Sequence, residues 1–154
     1  MVLAVGAATA GGLALGTVAR RPTAPPPPAE QLSASPDQIA VVDAGTLRFG
    51  DRVVRLQGVE PPSHSTECSG EDCGAAAANA LAAMIREAPV VCRIVGADGV
   101  GRPYGLCQAG ATELNVAVIA AGWARAQGVA PELKAAELAA RTERRGVWAR
   151  SPEW

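Results

Sequence analysis

The sequence predicts an α+β domain in which a small closed barrel of strands carries helices packed on it. Apolar, β-branched runs broken by turn pairs fill residues 39–58, a pattern of short strands. Helical patterning begins at residue 74 and returns twice toward the C-terminus. The resulting order is three strands, a helix, two strands and two helices, which suits a barrel with helices on its surface. The chain has 154 residues and is 49% hydrophobic, enough for one core. Aromatic residues make up only 3%, so Ala, Val and Leu must fill most of that core.

Residues 1–19 (MVLAVGAATAGGLALGTVA) carry no charge. About 20 apolar residues span a bilayer, so this run reads as a signal peptide or a membrane anchor. Its Gly and Ala content makes insertion marginal, and the Arg20-Arg21 pair favours a cytoplasmic position for a plain anchor. Residues 20–36 form a proline-rich linker. Its four consecutive prolines favour a stiff polyproline II spacer, and its Ser/Ala-rich remainder reads as flexible. Residues 37–154 form the compact domain.

Within that domain Ile39 to Val42 is the first strand, and Ala44-Gly45 makes a turn. Thr46 to Phe49 and Arg52 to Gly58 form a hairpin around Gly50-Asp51, and Pro61-Pro62 ends the run. Residues 74–88 form a helix, with Ala77, Leu81, Met84 or Ile85, and Ala88 on one face. Val90 to Val95 and Tyr104 to Gln108 are strands separated by a turn-rich loop at Ala97-Asp98-Gly99. Thr112 is placed to cap a helix running through Gly122. Pro131 suits the first position of a last helix that ends near Arg145 and stops at Gly146.

The net charge is −1 and Lys134 is the only lysine. Non-specific nucleic-acid binders draw their affinity from a basic excess that displaces counterions. This chain has no such excess, so any nucleic-acid contact must come from a local patch. The four cysteines, Cys68, Cys73, Cys92 and Cys107, are even in number, and no pair has the CxxC spacing of a zinc site. They therefore read as disulfides in an oxidising compartment. Cys68 and Cys73 bound one short loop, while Cys92 and Cys107 lie on consecutive strands. The pairing Cys68–Cys73 and Cys92–Cys107 follows.

Five segments, in order, resemble the staphylococcal-nuclease-like (thermonuclease) family. Asp43-Ala44-Gly45-Thr46 is similar to its Asp-Gly-Asp-Thr turn, and Arg55-Leu56-Gln57-Gly58-Val59-Glu60-Pro61-Pro62-Ser63 to its Arg-Leu-x-Gly-Ile-Asp-x-Pro-Glu segment. Asp98-Gly99-Val100-Gly101-Arg102 resembles Asp-x-Tyr-Gly-Arg. Glu113-Leu114-Asn115 with Gly122-Trp123-Ala124, and then Arg144-Arg145-Gly146-Val147-Trp148, resemble the remaining two. The resemblance implies a five-stranded OB-fold barrel with about three helices. It also implies cleavage of DNA or RNA phosphodiesters with one calcium ion, two acids and a carbonyl holding the metal, a glutamate as general base, and two arginines on the phosphate.

Carried onto this chain, the first metal acid becomes Gly45, which has no ligand, and the second becomes Glu60. The carbonyl position falls at Pro61. The base position becomes Ser63, which has no useful basicity near neutral pH. The arginines remain as Arg55 and Arg102. Calcium takes about six to eight oxygens and gains affinity with carboxylate charge, so this set should hold it only weakly and no cofactor is expected. A positioned general base contributes about 10²- to 10⁴-fold in rate. His64 follows Ser63 and reads chiefly as a solvated loop histidine, Asp43 as a turn-tightening acid, and Asp51 as the hairpin acid. Trp123, Trp148 and Trp154 read as packing residues rather than base-stacking platforms.

The expectation is a catalytically degenerate nuclease-like domain that binds phosphate or nucleic acid weakly, or serves as a scaffold. The alternative is an active phosphodiesterase with an altered metal or base site. The expected location is periplasmic or otherwise extracytoplasmic, with a membrane contact through the N-terminal segment.

Overall fold

The computed structural model describes residues 28–154. The apolar segment 1–19 and most of the proline run lie outside the described residues. Among the described residues no helix is long and apolar enough to cross a membrane.

Strands β1 (Gln31–Ala34), β2 (Ile39–Asp43), β3 (Thr46–Phe49), β4 (Arg52–Leu56), β8 (Val90–Ala97) and β9 (Pro103–Ala109) form one curled sheet. Their order is β1-β8-β9-β4-β3-β2, and the two-residue β10 (Thr112–Glu113) pairs with β9. Short ribbons join β5 (Val59–Glu60) to β11 (Arg125–Ala126), and β6 (Glu67–Cys68) to β7 (Glu71–Asp72). Three helices, α1 (Cys73–Met84), α2 (Leu114–Ala120) and α3 (Pro131–Thr142), accompany the sheet, and a single turn, α4 (Val147–Arg150), closes the chain. This is an α+β half-barrel consistent with the OB fold. Its hydrogen-bonded path is open, with β1 and β2 as its edges, and α1 packs on β2.

The five longer runs read as strands are all strands. β1 is a correction, because the end of the linker is not a flexible spacer. Leu32 and Ala34 sit half-buried against the core, and Gln31 to Ala34 pair with Arg93 to Val90. Alternating burial in QLSA gives a strand in spite of its polar composition. The helix ends also differ from the sequence reading. α1 stops at Met84 rather than residue 88, because Pro89 disfavours helical backbone at Ala88. Its N-cap is Asp72, whose carboxylate accepts from the Ala75 N–H at 2.9 Å. Thr112 is not a cap, because it pairs with Ala109 in β10, leaving Glu113 at that position.

α3 starts at Pro131 as expected and ends at Thr142, before Arg144 turns to a positive φ of 52°. Gly122 and Gly146 also have positive φ, and their backbones meet where the Val147 N–H donates to the Gly122 carbonyl at 2.9 Å. A Cβ at Gly122 would run into the Arg145 carbonyl. The two glycines therefore permit the close approach that seats α4.

The core is built from small and branched side chains, with Leu47, Val54, Leu81, Val90, Leu114, Val118 and Ile119 fully buried. Both disulfides form as expected: Cys68 bonds Cys73, and Cys92 bonds Cys107. Cys92 and Cys107 are directly opposed on β8 and β9, with Cα atoms 4.0 Å apart. Closing this loop, with a sequence separation of 15, stabilises by about 3 kcal/mol in the chain-entropy model. That contribution offsets the scarcity of large aromatic residues.

Candidate functional site

The turn between β2 and β3, the end of β4, and β5 converge at one end of the half-barrel. Asp43 accepts from the Gly45 N–H at 2.8 Å, so its carboxylate tightens the turn. The Leu56 N–H donates to the Gly45 carbonyl at 2.7 Å, which holds β4 beside that turn. Gly45 is buried. A Cβ at this position would stand 3.0 Å from Cδ and 3.3 Å from Cγ of Pro61, and 3.4 Å from a methyl of Val59. The Pro61 ring therefore crowds the space that a side chain at position 45 would need.

Glu60 is also committed elsewhere. It lies opposite Arg125 in the β5–β11 ribbon, and directly opposed residues share a face. The Arg125 guanidinium reaches its carboxylate at 3.4 Å. The same guanidinium lies 5.0 Å from the ring centre of Trp154, and Arg125 Nε is buried with no hydrogen-bond partner in the described structure. Ser63 Oγ lies 2.8 Å from Thr66 Oγ1 and 3.3 Å from Ser65 Oγ, so its hydroxyl is engaged in a local cluster. The Thr66 N–H donates to the Ser63 carbonyl, and the Cys73 N–H to the Thr66 carbonyl, each at 2.9 Å. This ties the Ser63 loop to the start of α1. His64 is exposed on the same turn.

These donors do not fit calcium. One glutamate already paired with a guanidinium, and one carbonyl beside a crowded turn, fall short of the ion's oxygen shell. Among the described residues no group of three or more His, Cys, Asp or Glu side chains is disposed to hold a metal.

The two arginines singled out by the resemblance have different settings. Arg55 lies opposite Tyr104 in the parallel β4–β9 pair. That pairing is stapled by buried Asn115, whose amide donates to the carbonyls of Gln57 (2.9 Å) and Gly105 (3.1 Å) and whose oxygen accepts from the Cys107 N–H (2.9 Å). Arg55 lines a groove of about 1010 Å³ together with Gln57, Arg93, Tyr104, Asp98, Glu113 and Glu132. Arg102 does not line it. Its Nε donates to Asp98 Oδ2 at 2.6 Å, and its backbone N–H donates to Asp98 Oδ1 at 2.9 Å. The Arg102 backbone N–H, with further help from the guanidinium and the Val100 N–H, holds the Asp98 carboxyl below its ordinary value. Arg55 thus lines the groove, while Arg102 is held by Asp98 at its margin.

Three residues with roles here escaped the sequence reading. Arg93 was visible only as a charged residue in an otherwise apolar strand, Val90–Ala97, where alternation turns it outward. Arg125 had no local signal, because its partner lies 65 residues away in the chain. Asn115 was seen as part of a motif but not as a staple.

Comparison with curated proteins finds no match. The family model for staphylococcal nuclease homologue matches residues 53–150, a span that includes Arg55, Glu60, Ser63 and Arg102 and covers well over half of the chain. This match, the half-barrel and the ordered run of motifs agree, and the chain belongs to the staphylococcal nuclease homologue family.

Proposed function

We propose that this is a catalytically degenerate member of its family. It engages phosphate-bearing ligands, including single strands of nucleic acid, weakly and without metal. The observation that carries the reading is Gly45 itself, which offers no ligand and has the Pro61 ring 3.0 Å from where a Cβ would stand. The position lacks the acid, and a side chain there requires the ring to give by a few tenths of an ångström. Ser63 at the base position supports the same reading. Arg55 is the phosphate contact, binding through parallel hydrogen bonds as guanidinium does. Arg102 contributes only after leaving Asp98. The groove around Arg55 holds two arginines against three carboxylates, which limits affinity, and salt weakens the contact further by screening.

The two disulfides point to an oxidising, extracytoplasmic setting. Residues 1–19 would serve there as leader or anchor.

A plasmid-nicking assay with calcium and then manganese tests the reading, with Arg55→Ala as the control. No nicking by the wild type is expected. Nicking by the wild type that disappears in Arg55→Ala would favour the alternative, an active phosphodiesterase with an altered site.

A further inference from the structure

We infer that Arg125 is the built-in cation of this site: its guanidinium neutralises Glu60 in place of a divalent metal ion. The inference rests on the degenerate reading above and names the group that takes over the metal's charge.

Four observations carry it. The cross-strand register sets Arg125 directly opposite Glu60 in a two-residue antiparallel ribbon, so the two side chains leave the same face. The guanidinium lies 3.4 Å from the carboxylate. Trp154 backs it at 5.0 Å, within the range of a cation–π contact. Finally, Arg125 Nε is buried without a hydrogen-bond partner, and the terminal Nη2 is the atom that reaches the acid.

An ion pair this exposed, at 39% and 46% side-chain accessibility, contributes little to stability. Its consequence is electrostatic. A divalent ion at Glu60 would have to displace a cation already held there or sit beside it. With no acid at Gly45, one carboxylate cannot offset that repulsion. The Glu60 carboxylate is thus neutralised without metal.

Calcium titration by calorimetry on wild type, Arg125→Met, Arg125→Lys and the double variant Arg125→Met/Glu60→Gln tests this. Methionine keeps an aliphatic stem of similar length and removes the charge that lies over Trp154. Arg125→Met is expected to bind calcium about tenfold more tightly than wild type, a change of about 1.4 kcal/mol. Arg125→Lys should stay at the wild-type level, and the double variant should lose the gain. No gain in Arg125→Met, or a gain that survives loss of Glu60, overturns the inference.

Carboxylate carbon shifts of the wild type supply a second reading that needs no variant to fold. The Glu60 signal should stay fixed up to millimolar calcium, and a calcium-dependent shift there overturns the proposal. Nicking is a separate readout. Wild-type cleavage would sink the degenerate reading without touching the titration result, and an unchanged Arg125→Met titration would sink the present inference while leaving absence of nicking intact.

Discussion

Gly45 and Pro61 act as a pair. The glycine is buried, and the atoms nearest to an added Cβ belong to the Pro61 ring, which must give by a few tenths of an ångström to admit it. Overpacking of this kind costs about 1–3 kcal/mol. Gly45→Ala is therefore expected to lower the urea midpoint by an amount worth about 1 kcal/mol, and Pro61→Ala in the same chain should recover most of it through coupling of adjacent sites. Equal midpoints for Gly45→Ala and wild type would show that the ring yields freely. The same geometry bears on restoring activity. Gly45→Asp with Ser63→Glu sets the new Cβ close against the Pro61 ring, so a third change at Pro61 is expected to tighten calcium binding by that variant.

Asp98 shows a different residue-scale effect. Hydrogen bonds from the Arg102 backbone N–H, the Arg102 side chain and the Val100 N–H favour its charged form over its burial. A carboxyl lowered in the folded state contributes stability that is present above its unfolded value of 3.8. That contribution is lost as pH falls through the lower folded value. The loop from Asp98 to Arg102 should therefore keep its amide shifts from neutrality down past pH 3.8 and change only in stronger acid. A midpoint at or above that value would contradict the assigned hydrogen bonds. While the loop holds, Arg102 stays paired with Asp98, so any anion drawn to Arg102 would have to compete with this carboxylate.

At the scale of elements, β1 matters most for the limits of the folded unit. It extends the sheet beyond β8 and covers part of the core with Leu32. A half-buried leucine loses roughly 0.8 kcal/mol for each methylene group returned to water at full burial, so Leu32→Ala should cost about 1 kcal/mol in chemical denaturation. A variant as stable as the wild type would return this segment to the linker. The disulfides act on elements too. Cys92–Cys107 joins neighbouring strands in the core, whereas Cys68–Cys73 closes the β6–β7 loop that leads from Ser63 into α1. The loop bearing position 63 is thus anchored at both ends.

At the scale of the whole molecule, the tryptophans join distant parts of the chain. Trp148 and Trp154 lie 5.0 Å apart at their ring centres. Arg141 lies over Trp148 at 4.3 Å and Arg150 over Trp123 at 5.6 Å. Val147, Trp123 and Trp154 pack against the buried Cys68–Cys73 bond. The C-terminal turn therefore holds both the disulfide loop and, through Trp154, the arginine opposite Glu60. Reading these aromatic residues as packing groups agrees with their contacts, and their arginine neighbours give the cluster a solvent-facing cap.

Much of this protein was legible from local pattern. The five longer strands, the hairpin at Gly50-Asp51, the start of α3 at Pro131 and the two disulfides follow from periodicity, turn chemistry and cysteine spacing, all properties of neighbouring residues. The family followed from short motifs in order, and the absence of acids at Gly45 and Ser63 is a fact of composition. Tertiary structure alone decided what replaced them. The ring of Pro61 crowds the space at Gly45, Arg125 faces Glu60 across the β5–β11 ribbon, Arg93 joins Arg55 in the groove, and Asp98 retains Arg102. β1 belongs to the same group, since its polar sequence becomes a strand only by pairing with β8. Apart from the Asp98–Arg102 pair, which lies within one loop, each of these is a contact between separate segments of the chain, and its energy depends on register and distance, which no local pattern encodes.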